Sequence, residues 1–321
     1  MKRLLCLFAI TTLASAQEVT GVGNFSHIVK DMDRSVAFYR DVLGLEVSVN
    51  NPFSPNPAIM KLGNTLGAQS RMSALKVPGS EMGIELIEYK DIARTPASPH
   101  FQDPGAANFI IRVRDASALF ARFQKYQQEQ KAGRVITAAG KPVDAAGGLH
   151  VFLQDPDGFV VEVAQIVAKP GDPAGDVLGG GFELAIADTD QSAKFYDEML
   201  GFHMQRAPAF NDSKIMADTA GVPGASFRQS RSPIPGSKAG LTLIEFKGVE
   251  RKPLTGRIQD PGTAILQLRV TNVAALVNKL KAAGVPVIST GGEPVAIRPG
   301  VNIAIVRDPN NLYLELIEAP K

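Results

Sequence analysis

Asp31-Met32-Asp33-Arg34-Ser35-Val36-Ala37-Phe38-Tyr39 recurs as Asp188-Thr189-Asp190-Gln191-Ser192-Ala193-Lys194-Phe195-Tyr196, an offset of 188 − 31 = 157 residues. The same offset carries Leu43-Gly44 onto Leu200-Gly201, Leu86-Ile87-Glu88 onto Leu243-Ile244-Glu245, and Gln102-Asp103-Pro104-Gly105 onto Gln259-Asp260-Pro261-Gly262. Near the end the offset shortens to 308 − 155 = 153, where Asp155-Pro156-Asp157-Gly158 meets Asp308-Pro309-Asn310-Asn311. A register held over that distance is an internal duplication. The first copy spans residues 21–167 and the second 179–319. The residues between, 168–178, contain Lys169-Pro170-Gly171-Asp172-Pro173-Ala174-Gly175, whose Pro and Gly content marks a linker.

Within each copy the hydrophobic pattern changes period twice. Phe25 to Val29 alternates apolar with polar as a strand does, and Asp33 to Leu43 follows as a helix with an acidic start. Ile84 to Tyr89 closes that unit as a strand. A second unit starts at Asn108 to Val113, continues through a helix over 117–131, and ends in Val151 to Leu153, a turn, and Phe159 to Val163. The turn is Asp155-Pro156-Asp157-Gly158: Pro presets φ, Asp caps locally and Gly accepts positive φ. Each copy therefore reads as two βαβββ units, an α+β arrangement.

Outward from the repeats, the front of the chain differs in kind. Met1 to Gln17 reads MKRLLCLFAITTLASAQ, with a basic start, an apolar run from Leu4 to Leu13, and Ala14-Ser15-Ala16. That is the pattern of a secretory signal peptide over residues 1–16; a membrane anchor needs about 20 apolar residues. Export to a periplasm or secretion is expected, with no membrane association after cleavage. The one cysteine, Cys6, falls in this leader, so the mature chain of 321 − 16 = 305 residues has no thiol for a disulfide, a metal or a nucleophile. Lys+Arg 34 against Asp+Glu 32 leaves a net charge of +2, with no field to hold a polyanion, so nucleic acid is not an expected partner.

The segments opening each copy, the DPDGxxxE segment closing the first, and the paired βαβββ rhythm resemble the vicinal oxygen chelate superfamily. Glyoxalase I, extradiol dioxygenases and the bleomycin resistance proteins belong to it. The resemblance covers nearly the whole mature chain. It implies tandem modules in which two units pair into an incomplete barrel, with a ligand in the concavity and commonly a divalent metal at its centre. One fold hosts many chemistries, so function rests on the residues.

In that superfamily a ligand sits on the first and last strand of each unit. Counting back seven residues from the helix-opening Asp31 and Asp115 gives Asn24 and Asn108; the last-strand places are Glu85 and Glu162. The expected metal set in copy one is thus Glu85, Glu162, Asn24 and Asn108. Such oxygen donors suit Mg, Mn or Ca rather than zinc or iron. The alternative is that both glutamates are ordinary strand residues in a metal-free pocket. In copy two the same counts give Gly181, Thr242, Ile265 and Glu315, a set with one carboxylate, so this half is expected to be a structural or binding one. Glu183, Gln267 and Arg269 fall on its cavity parity.

The histidines divide by parity. His27 lies three residues past Asn24, on the opposite face of the strand, packed beneath the helix. His150 joins Phe152 and Glu162 in the cavity if the hairpin is bulged. His100 reads as loop, and His203 has no evident partner. Candidate catalytic groups are Glu162, Glu85 and His150, with Phe152, Arg112 and Ser26 as substrate contacts. Three functions remain open at this level: a metal-dependent lyase or isomerase of the glyoxalase type, a metal-free small-molecule binding protein, and a non-catalytic scaffold. Fusion of two copies favours a monomer.

Overall fold

Each unit begins with a strand that runs into an Asp or Asn, whose extended backbone turns its side chain onto the helix it opens. Asp31, Asp115, Asp188 and Asn272 each accept a hydrogen bond from the backbone N–H three residues on, a cap worth about 1 kcal/mol. The computed structural model describes residues 18–145 and 147–320. The leader 1–16, with Cys6, lies outside the described residues.

Unit one holds β1 (Val19–Ile28), α1 (Met32–Ala37) continuing as a π-helix over Phe38–Val42, β2 (Glu46–Asn50), α2 (Pro57–Leu62), β3 (Gln69–Lys76) and β4 (Ile84–Lys90). Unit two holds β5 (Ala107–Val113), α3 (Ala116–Gln130), β6 (Arg134–Val135), β7 (Val143–Ala145), β8 (Gly148–Gln154) and β9 (Val160–Gln165). Unit three holds β10 (Val177–Ile186), α4 (Thr189–Leu200), β11 (Gln205–Arg206), α5 (Lys214–Thr219), β12 (Ser226–Pro233) and β13 (Gly240–Lys247). Unit four holds β14 (Ala264–Val270), α6 (Val273–Ala282), β15 (Val295–Arg298), β16 (Val301–Arg307) and β17 (Tyr313–Glu318). The α+β rhythm read from the sequence is present; the short helices α2 and α5 are additions to it.

The units combine across the copies. An eight-stranded sheet runs β15-β16-β17-β14-β1-β4-β3-β2, and a nine-stranded sheet runs β11-β12-β13-β10-β5-β9-β8-β6 with β7 on β8. Unit one is therefore joined to unit four through the antiparallel pair β1/β14, and unit two to unit three through β5/β10. Neither copy builds a curled sheet from its own two units. Alternation then sorts each strand. Phe25 and His27 face outward from β1 while Ser26 and Ile28 face the concavity of their sheet.

The outward faces and the long helices share one continuous core. At its centre Phe25 stacks on Phe182 with ring centroids 3.7 Å apart, and Phe109 lies 5.1 Å from Phe182. The π-wound segment adds Phe38 edge-on to Phe123 of α3. Two smaller apolar clusters sit in the two concavities, one around Tyr89, Ile265 and Ile305, the other around Phe101, Phe152 and Phe246. No described helix is long and apolar enough to cross a membrane.

Candidate functional site

Strand register decides which side chains meet. On the parallel pair β1/β4, Ser26 lies beside Glu85, and on β14/β17, Gln267 lies beside Glu315. Since β1 and β14 adjoin, these four share the first concavity. In the second sheet Ile110 lies beside Glu162 and Glu183 beside Thr242. The expected set Glu85, Glu162, Asn24 and Asn108 is therefore not one site: Glu85 is in the first sheet and Glu162 in the second. The first-strand places are Ser26 and Ile110, two residues beyond Asn24 and Asn108. Asn24 instead packs beside Gly83, where an added Cβ would lie 2.9 Å from its Oδ1. The seven-residue count could not separate Asn24 from Ser26, because both have the same strand parity.

In the first concavity, a cavity of about 460 Å³, Glu85 Oε2 accepts from Ser26 Oγ at 2.8 Å and from Gln267 Nε2 at 2.6 Å. Gln267 Oε1 accepts from the Asn24 backbone N–H at 2.8 Å. Burial raises the Glu85 carboxyl above its ordinary range, against the pull of those two hydrogen bonds. Glu315 is pushed up to about 8, by burial and then by the charge of Glu85. Two carboxylates from different copies thus share one cavity, and the charge of Glu85 opposes ionisation of Glu315. Tyr89, Ile265, Ile303 and Ile305 supply apolar wall, and Ile59 and Leu62 of α2 complete it.

The second concavity holds about 840 Å³. His150 Nδ1 meets Glu162 Oε1 at 2.9 Å, and Phe152 pairs with Glu162 in an unbulged β8/β9 ladder. His150 thus reaches the cavity without the bulge that the sequence reading required. Glu183 is raised to about 8 by burial and by the charge of Glu162, opposed by Gln229 Nε2, which donates to its Oε1 at 2.7 Å. Asn108 lies opposite Glu183 in register. Its amide is fully buried and has no hydrogen-bond partner of ordinary geometry among the described residues, although it lies near enough to favour the Glu183 carboxylate. Arg112 also lines this cavity, so the candidate residues divide: Ser26 and Glu85 in the first; His150, Phe152, Glu162 and Arg112 in the second.

His27 is buried on the outward face, as its parity requires, with Nε2 2.9 Å from Asp155 Oδ2. His27, Asp155 and Asp157 could offer three metal ligand atoms within 4.8 Å of one another. Every carboxylate oxygen there is already engaged. Asp155 accepts from the backbone N–H groups of Asp157 and Phe159 and from Tyr39 Oη, and Asp157 accepts from Lys30 N and Ser35 Oγ. The cluster ties the β8–β9 turn to the start of α1. His100 sits in a loop against Asp103.

The comparisons agree with this architecture. The profile of the Glyoxalase/Bleomycin resistance protein/Dioxygenase superfamily matches residues 21–163 and 180–316, and the chain belongs to that family. It is 26% identical over 185 residues to the lactoylglutathione lyase GLX1 of Arabidopsis thaliana, a match spanning 57% of this chain and 56% of that one. Among solved structures, glyoxalase I from Zea mays superposes with a TM-score of 0.59 at 18% identity, covering 94% of this chain and 92% of that one. A single-substitution variant of the maize enzyme gives 0.61 at 17% identity, covering 94% and 93%. At those identities the likeness is one of fold.

The sequence pattern put Glu183 and Gln267 on a cavity parity but in copy two's own structural or binding half, and so missed that Gln267 and Glu315 complete the first concavity and Glu183 the second. The duplication contained the information. Ser26 + 157 is Glu183, Ile110 + 157 is Gln267, and Glu162 + 153 is Glu315.

Proposed function

We propose that the chain is a divalent-cation-assisted lyase or isomerase, acting in the first concavity on a small molecule with neighbouring oxygens. The observation that carries this reading is the pair Glu85 and Glu315, drawn from opposite copies into one cavity, where the charge of Glu85 disfavours that of buried Glu315. Two acids arranged so are costly without a cation between them. With Gln267 and Ser26 they offer only oxygen and amide donors, a set suited to Mg, Mn or Ca. Glu85, Glu315 and Gln267 would hold the ion, which supplies Lewis-acid polarisation of substrate oxygens.

The chain's own residues divide the remaining work. Ser26 and Gln267 orient Glu85 by donating to one oxygen. No hydrogen bond holds the Glu315 carboxyl among the described residues. In the cation-free protein it is pushed up to about 8, so it must give up its proton as the ion binds. Ile265, Ile303 and Ile305 keep water from the reacting face. The leader pattern of residues 1–16 supports action outside the cytoplasm, and the cross-copy sheets support a monomer. A thermal-shift series with Mg, Mn, Ca and EDTA tests the proposal. A rise in melting temperature with one of these cations, larger at pH 8 than at pH 6 because the carboxyls must lose protons to bind it, is expected. Indifference to every cation would refute it.

A further inference from the structure

The second concavity differs from the first in ways that define another occupant. Of its four first- and last-strand places, Ile110 offers no donor atom and Thr242 only a hydroxyl. Glu162 is joined to His150 and Glu183 to Gln229. The cavity runs on into a second chamber of about 570 Å³ that shares Ile110, Arg112 and Thr242 with it. The opening between them follows from Gly181. A Cβ there would have the Arg112 guanidinium nitrogens, 3.9 Å away, as its nearest neighbours, whereas the equivalent place in the first sheet (181 − 157 = 24) carries Asn24.

Charge and apolar surface are separated along this space. At the chamber end stand Arg112 and Lys238; neither forms an ion pair among the described residues. The one carboxylate there, Glu81, accepts from Ser237 Oγ at 2.6 Å and from the Lys238 backbone N–H at 2.9 Å. At the other end Phe101 lies 5.5 Å from Phe152 and 5.1 Å from Phe246 between ring centroids. Phe152 and Ile110 are both in register with Glu162, so the aromatic end begins two residues, about 7 Å, along the strand from Arg112.

We propose that the second concavity is a metal-free site for an elongated organic anion, an aromatic carboxylate. The ring packs against Phe101, Phe152 and Phe246, and the carboxylate meets Arg112. This site is independent of the cation site in the first concavity.

Isothermal titration of the chain in EDTA with benzoylpentanoate, which has a ring at one end and a carboxylate at the other, tests the proposal. Binding of one molecule per chain is expected. The matching primary amide, benzoylpentanamide, should bind at least tenfold more weakly, and Arg112→Met, an exposed change, should weaken the acid to a similar degree while leaving the melting temperature unaltered. Glu85→Gln with Glu315→Gln should leave acid binding unchanged. Absence of binding, equal binding of acid and amide, indifference to Arg112→Met, or loss in the Glu85/Glu315 variant would each overturn it. Because the titration is done without cation, these results are separate from the fate of the proposed enzyme function.

Discussion

His27 and Leu184 occupy the same place in the two copies, and around them one turn is stabilised in two ways. In copy one the buried imidazole meets Asp155. In copy two Asp308 has no imidazole, accepts from Tyr196 Oη at 3.0 Å, and is pushed up to about 6 chiefly by burial. Burial alone would lower His27, but the charge and hydrogen bond of Asp155 outweigh it and the net shift is upward. Its contribution to stability is therefore fully present below the ordinary imidazole value of 6.5 and fades as pH rises through the raised one. His27→Leu should destabilise by about 2–4 kcal/mol at pH 6, since it leaves Asp155 buried without its cation. The deficit relative to the parent should shrink at alkaline pH in urea titrations. Adding Asp157→Asn, which completes the copy-two pattern, should restore part of the loss, a non-additivity that a double-mutant cycle reads directly. Glu315 has the opposite charge type. Its carboxyl ionises near 4.5 when unfolded and near 8 when folded, so cation-free stability declines across that window. Glu315→Gln in EDTA should therefore raise the melting temperature more at pH 8 than at pH 5.

Elements were the most legible level, because strands and helices announce themselves by local period and local caps. The expected strand Ile84–Tyr89 is β4, and the helix expected over 117–131 is α3, displaced by one residue. What alternation could not supply was absolute register on β1 and β5, where Asn24 or Ser26, and Asn108 or Ile110, satisfy the same parity. The repeated Asp-Pro-Gly turns were visible but their task was not. Gly105 donates its N–H to Ala185 O at 2.8 Å and Gly262 to Ile28 O at 2.9 Å, so each turn docks a first strand's entry onto the neighbouring unit from the other copy. Gly105 has φ +94°, and a Cβ on it would lie 2.3 Å from the Asn310 carbonyl oxygen. Gly105→Ala should cost more than about 2 kcal/mol by chemical denaturation. Gly67→Ala, at φ +87° in open space, should cost only about 1 kcal/mol.

At the scale of the whole molecule, the pairing of unit one with unit four and unit two with unit three is a non-local choice that no window of sequence reports. Four units with the same hydrophobic pattern could pair within copies or across them, and the reading within copies placed Glu85 with Glu162. Pairing across them places Glu85 with Glu315, and leaves Glu162 to a cavity of different chemistry. Each concavity is thereby composite, with no half dispensable to either site. The central claim is that Glu85 and Glu315 form one cation site to which Glu162 does not contribute. Titration of Mn²⁺ into Glu85→Gln, Glu315→Gln and Glu162→Gln, with binding stoichiometry as the readout, tests it most directly. The account predicts one ion per chain in the parent and in Glu162→Gln, and none in the other two; an ion retained by Glu315→Gln, or lost in Glu162→Gln, would contradict it.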